Sequence, residues 1–194
     1  MDRIIEVLKD RIGEERLNHT LSVVEEALSL AKRHKAPEDK VKIAALLHDF
    51  AKNLTLEESL RLAKEYGLKL DDVTITSTEL IHGPLGARMV KEYFNIGDQE
   101  ILNAITYHTT GRENMTTVEK IVFLADFIEP GREFEGIQII RAKALEDLDE
   151  AIFMALDSTI SYLLKKKSII HVNTVHARNF LLGKRLGENI NEKA

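Results

Sequence analysis

Cysteine is missing from all 194 residues, and so is tryptophan. The first absence excludes a disulfide framework and any thiolate-ligated zinc or iron–sulfur site, and it fits a reducing compartment. Proline occurs only three times and the aromatics are Phe and Tyr alone, which suits a helical protein better than a sandwich or barrel. No apolar run is long enough for a bilayer: Ile43–Phe50 and Ile121–Ile128 are short and broken by His or Asp. The first residues, Met1-Asp2-Arg3-Ile4-Ile5-Glu6, mix both charge signs without an apolar stretch, so no signal peptide is expected and a cytoplasmic location is. Positive charge is not in excess either. A net charge of −5 argues against a nucleic-acid-coating role, which rests on basic surface and counterion release. A small polyanionic substrate then needs cations gathered locally, or a metal. Repeats, low-complexity tracts and Ser/Gly-rich linkers are also lacking, so one domain over residues 1–194 is expected.

What is present is helical spacing almost throughout. In 14–34, Leu17, Leu21, Val24, Leu28 and Ala31 recur at steps of four and three and form one packing stripe. Segment 38–51 is apolar on nearly every face, the pattern of a buried central helix. Further helices are predicted over 56–66, 84–94, 98–108, 116–128, 137–145, 147–166 and 173–187. Pro84 fits a first helical position, Gly111 a helix C-terminus, and Glu129-Pro130-Gly131-Arg132 a helix stop opening a loop. Residues 71–81 read either as an extended connection or as a short helical turn.

Within these apolar segments stand polar groups that need partners. His48 and Asp49 are adjacent in the buried segment, Asp126 interrupts Ile121–Ile128, and His108 prolongs the Ile101, Ala104 and Ile105 stripe. A desolvated carboxylate or imidazole without a partner costs several kcal/mol, on the order of 2–7 for a polar group. Mutual hydrogen bonds and ion pairs would answer for any one of them. Together they would crowd like charges into one core, and a divalent cation removes that difficulty. Nitrogen and oxygen donors without sulfur suit iron, manganese, magnesium or non-thiolate zinc. His19 falls with Asn18, Ser22 and Glu26 on the polar side of its helix. By periodicity alone it is a surface histidine, unless that face lines a cleft.

The ordered set Arg16-x-x-His19, His48-Asp49, His82, His108 and Asp126 resembles the HD superfamily of metal-dependent phosphohydrolases. Longer stretches resemble the bacterial YqeK family of symmetrical diadenosine tetraphosphate hydrolases. These are His48-Asp49-Phe50-Ala51-Lys52, His82-Gly83-Pro84-Leu85-Gly86-Ala87, Tyr107-His108-Thr109-Thr110-Gly111, Ala125 to Arg132, and Thr174 to Asn179. The His-Gly-Tyr-Pro pattern of the cyclic-dinucleotide phosphodiesterases is missing. The resemblance implies an all-α, single-domain helical bundle of the HD type. It also implies an iron site with His19, His48, Asp49 and Asp126 as ligands; manganese and zinc overlap with iron in ligand preference. His82 and His108 would either hold a second metal or contact substrate phosphates. The implied activity is cleavage of diadenosine tetraphosphate to two ADP by metal-activated water.

Several residues are candidates for the substrate. Lys52, four residues after His48, would project from the same side of a continuing helix and meet phosphate, or else be a solvated lysine at a helix end. Gly83, ahead of a helix opening at Pro84, would offer free N–H groups to phosphate, or else mark an ordinary helix start. Arg132, entered through Gly131, could clamp phosphate bidentately, and Thr109 and Thr110 could donate hydroxyl hydrogen bonds. His34, His171 and His176 receive no catalytic role. Two competing functions stay open: a di-iron oxygenase-like enzyme of the same superfamily, and a non-catalytic nucleotide sensor. A small-molecule nucleotide is the expected partner; a homodimer is left open.

Overall fold

The computed structural model describes residues 2–191. Among them there are nine α-helices, one 3-10 turn and no strand. The architecture is all-α, as expected.

Helix α1 (Asp2–Arg33) is two helices merged across Gly13, whose φ of 77° and ψ of 169° break the helical path. Glycine takes a positive φ without steric cost, and Asn53 Nδ2 pins the break by donating to the Ile12 carbonyl at 2.7 Å. The predicted start at residue 14 therefore marks the second half; Leu8 and Ile12 bury a first half as well. In that second half Thr20, Val23, Ala27 and Leu30 are fully buried beside the expected stripe. The covered arc of α1 is thus wider than its leucines alone indicate.

Helix α2 (Glu38–Leu47) starts after Pro37 and carries Glu38 and Asp39 in its first turn, where acidic groups suit the helix dipole. It buries Val41, Ala44, Ala45, Leu46 and Leu47 against α1 and other helices. It ends four residues before the predicted limit. Beyond Leu47 the chain continues in tighter turns, with Phe50 N–H on the Leu47 carbonyl (3.2 Å) and Lys52 N–H on that of Asp49 (2.9 Å).

Helix α3 (Leu56–Glu65) opens on a capping box in which Thr55 and Glu58 satisfy each other's backbone N–H. The unassigned stretch resolves into a 3-10 turn at Thr74–Thr76, closed by Asp71, and the first turn of α4 (Thr78–Phe94). Helix α4 begins six residues before Pro84, which lies inside it. The expectation of a helix start at Pro84 is corrected accordingly. Gly83 allows α4 to press on the next helix, because a Cβ there would stand 2.6 Å from the Thr106 carbonyl.

Helix α5 (Gln99–Tyr107) is capped by Asp98 and ends near Gly111, whose φ of 65° and N–H bond to the Tyr107 carbonyl (2.8 Å) make the expected C-terminal glycine. Helix α6 (Thr117–Ile128), capped by Thr116, is buried along most of its length and packs on α1, α2, α5 and α8. Helices α7 (Ile137–Ala144), α8 (Leu148–Lys166) and α9 (Val172–Asn191) follow, each within a few residues of its predicted limits. Among the described residues no helix is long and apolar enough to cross a membrane. The ends of α2, α5 and α6 and the faces of α1 and α4 meet around one polar pocket in this oily interior.

Candidate metal centre

Six side chains from five helical segments converge. His19 comes from α1, His48 and Asp49 from the turn after α2, His82 from α4, His108 from the turn after α5, and Asp126 from α6. His48, Asp49, His82 and His108 are buried, and His19 and Asp126 are mostly covered. Asp49 sits at the hub. Its Oδ1 lies 3.2 Å from His82 Nε2 and 3.7 Å from His108 Nε2; its Oδ2 lies 3.4 Å from His48 Nε2 and 3.2 Å from the Arg16 guanidinium. Asp126 Oδ1 lies 3.1 Å from His19 Nε2 and 4.0 Å from His48 Nε2.

Local structure sets the direction of each ring. The Nδ1 atoms of His48, His82 and His108 donate to the carbonyls of Ala45 (2.7 Å), Thr78 (2.9 Å) and Ile105 (2.7 Å), three or four residues back on their own helices. That leaves each Nε2 turned inward. His19 is held differently: its Nδ1 faces Glu129 Oε1 at 3.3 Å. The polar side of α1, which periodicity assigned to solvent, lines the site. Ser22 on that face donates to Glu129 Oε2 at 2.9 Å.

The donors fit a divalent cation. His19 Nε2 and His48 Nε2 are both sealed from solvent, and neither is aligned for a hydrogen bond. His82 Nε2 and His108 Nε2 face each other at 2.9 Å. With both Nδ1 atoms donating elsewhere, these two lone pairs repel unless a proton or a cation lies between them. Two groups of ligand atoms, His19/His48/Asp126 and His48/Asp49/His108, each lie within 4.8 Å of one another. All are nitrogen or oxygen, the set expected for iron, manganese or zinc without thiolate.

The electrostatics agree with a site built around positive charge. Burial works to raise the Asp49 carboxyl, but His48, His82 and His108 outweigh it and hold Asp49 far below the usual carboxylate range. Asp126 is likewise held down against its burial by His19, His48, His108 and Arg132. His48 is raised to about 9: burial alone would lower it, and the charges of Asp49 and Asp126 reverse that. His108 is lowered to about 3 by burial first and then by His82 and His48.

The substrate candidates fare unevenly. Arg132 reaches the site, donating through Nη2 to Asp126 Oδ1 (2.8 Å) and through Nε to the Asp126 carbonyl (3.1 Å), while 43% of its side chain stays exposed. Thr109 is at the site too, its hydroxyl 3.1 Å from His108 Nε2 and 3.5 Å from that of His82. Thr110 is not: it is buried and spends its hydroxyl on the Gly111 carbonyl (2.9 Å). The Gly131 N–H is taken by Glu129 Oε2 at 2.7 Å. Gly83 lies within α4, so the free N–H groups of a helix start are absent there. Lys52 loses the same-side argument because α2 ends at Leu47, and its charge acts on Glu79.

Two contributors carried no assigned role in the sequence reading. In the sequence Glu129 is only the first residue of the helix stop at 129–132; the side chain of His19, 110 residues earlier, reveals its role. Arg16 lay in the quoted motif, and its spacing of one helical turn from His19 was the available signal. Beside it an open cleft of about 390 Å³ is lined by Ile12, Glu15, Arg16, His19 and Asn53 and so shares His19 with the centre.

The HD domain family matches residues 16–131, which contain every one of these candidate ligands. The chain belongs to the HD domain family. Within it, this HD protein is 42% identical to the symmetrical bis(5'-nucleosyl)-tetraphosphatase of Halalkalibacterium halodurans over 93% of its own length and 96% of that protein's. It is 35% identical to the protein of the same name from Bacillus subtilis, over 90% and 94% of the two chains. A crystal structure from Clostridium acetobutylicum, described as a predicted HD superfamily hydrolase involved in NAD metabolism, superposes with a TM-score of 0.91 at 41% identity, over 94% and 97% of the two chains.

Proposed function

We propose that this HD protein hydrolyses a dinucleoside polyphosphate symmetrically, cutting diadenosine tetraphosphate into two ADP molecules at the metal centre. The reading rests on one observation above all: six imidazole and carboxylate groups meet, and the buried Nε2 atoms of His19 and His48 face carboxylates without an aligned hydrogen bond. The relatives of matching length, named for symmetrical tetraphosphatase activity, support the substrate class. That name favours hydrolysis over the oxygenase reading, and the full donor set speaks against a sensor that has lost turnover.

His19, His48, Asp49 and Asp126 would hold a divalent cation, with iron the expected ion. His82 and His108 would help to hold a second ion or meet the phosphates. Such a cation supplies Lewis-acid polarisation of a phosphoryl oxygen and a nucleophilic water at neutral pH. The protein's own part is positioning and charge. The carbonyls of Ala45, Thr78 and Ile105 fix three imidazoles in the tautomer that keeps Nε2 free, with no reorganisation needed during the reaction. Asp49 carries negative charge at any physiological pH, so it balances cations rather than giving up a proton.

Arg132 and Arg16 line the rim with fixed positive charge. Arg132 is exposed enough to exchange Asp126 for a phosphate oxygen, and its planar guanidinium can take two oxygens at once. The leaving group is a nucleoside diphosphate, whose terminal oxygen is a weak base. Its departure therefore needs charge neutralisation more than a proton, and the two arginines provide it. Thr109 can donate its hydroxyl to a phosphate oxygen from beside His82 and His108. The test is a product assay: protein loaded with iron or manganese is incubated with diadenosine tetraphosphate and the nucleotides are separated. ADP alone is the expected product. ATP with AMP would reject symmetric cleavage, and binding without products would leave a sensor.

A further inference from the structure

Three of the four inward-facing histidines that pair their Nδ1 do so with a carbonyl of their own helix. His19 alone pairs it with a carboxylate, that of Glu129, 110 residues further along the chain. Glu129 is 4% exposed, and every part of it is fixed. Its Oε2 accepts from the Ser22 hydroxyl (2.9 Å) and the Gly131 N–H (2.7 Å), while Oε1 faces His19 Nδ1 at 3.3 Å with Arg132 Nε farther off at 3.8 Å. Its backbone is fixed as well: Arg141 donates to the carbonyls of Ile128 (2.8 Å), Glu129 (2.7 Å) and Arg132 (3.0 Å). A Cβ at residue 131 would stand 3.0 Å from both Glu129 carboxylate oxygens, so any side chain there would push the carboxylate by a few tenths of an ångström. A loop built this closely around one buried acid holds that acid for a purpose.

We infer that Glu129 is a positioning residue for the metal centre: its carboxylate fixes the His19 ring with Nδ1 protonated and Nε2 presented to the cation. The inference rests on the metal-centre reading above. A carboxylate behind a ligating imidazole makes its far nitrogen a stronger donor and fixes its orientation, and losing one typically weakens metal binding about 10–100-fold. A carbonyl does the first less well, since it carries no full charge. Glu129 also joins α1 to the end of α6, so that His19 and Asp126 stay on one side of the site.

The decisive measurement is manganese binding to metal-stripped protein, read from the electron paramagnetic resonance of free Mn²⁺. Glu129→Gln keeps the shape and an oxygen for Ser22 and Gly131 but removes the charge. Its expected affinity is about 10–100-fold below wild type, at an unchanged melting temperature of the metal-free form. In a His19→Ala background Glu129→Gln should cause no further loss, because its effect runs through that ring. Gly131→Ala presses a methyl onto both oxygens and should weaken manganese binding in the same direction; if Glu129→Gln does not fold, this variant decides alone. Wild-type affinity in these variants, or losses that simply add to that of His19→Ala, would overturn the role. A wild-type protein that takes up no manganese would instead remove the centre itself, and this inference with it.

Discussion

Asp49→Asn makes the sharpest demand on the site, because the change is nearly isosteric and removes only charge from the hub. In the metal-free protein the loss falls first on His48. That imidazole is raised from its ordinary 6.5 to about 9 by the charges of Asp49 and Asp126, against its burial. At about 1.4 kcal/mol per pH unit of separation, this pairing contributes about 3 kcal/mol. The sign follows from the direction: a group raised on folding stabilises fully below its unfolded value near 6.5 and loses that contribution as pH climbs through about 9. For a chain of this size 1 kcal/mol corresponds to about 2–4 °C in Tm. Metal-free Asp49→Asn should thus melt about 6–12 °C below wild type at pH 6, and the gap should close as pH passes about 9. Metal adds an independent reading. A cation at a hundred times its Kd stabilises the wild-type protein by about 2.7 kcal/mol, or about 5–11 °C. The variant, lacking the shared carboxylate, should show almost none of that rise. Thermal melts across pH 6–10, with and without manganese, cover both. A pH-independent gap would refute the charge argument, and an undiminished manganese shift would refute Asp49 as a ligand.

Three other outcomes follow from the same geometry. Metal binding at pH 7 should release a proton, since His48 holds one there and must give it up; calorimetry in two buffers of different ionisation enthalpy measures this, and a heat independent of buffer counts against it. Arg132→Ala should leave metal content intact while lowering kcat/KM about 10–100-fold, the size of one charge-assisted contact; full activity at subsaturating substrate would remove Arg132 from the phosphate site. Gly83→Ala puts a methyl 2.6 Å from the Thr106 carbonyl, which is backbone and cannot swing away, so α4 and α5 must part. A loss of about 1–3 kcal/mol is expected by chemical denaturation, and an unaltered midpoint would show that the helices yield freely.

Much of the architecture was readable from apolar spacing and caps. Helices α5, α6 and α8 lie within a residue or two of their predicted limits because Asp98, Thr116 and Asp147 supply side-chain acceptors at their starts. Pro84 misled because proline is commonest at a helix start, whereas here α4 carries it internally. Lys52 misled because a continuous apolar run does not announce where i→i−4 bonding gives way to tighter turns.

The sequence by itself determined that imidazoles and carboxylates stand in apolar segments in a recognisable order, and that sulfur takes no part. Those are matters of residue type and local period. Only the tertiary structure decided that the polar face of α1 turns inward, that His19 reaches the same point as Asp126, and that Glu129 stands behind it. The physical reason is that periodicity separates an apolar side from a polar one but cannot tell a polar side facing water from one facing a buried charge. Distances between residues 110 positions apart arise only when helices pack.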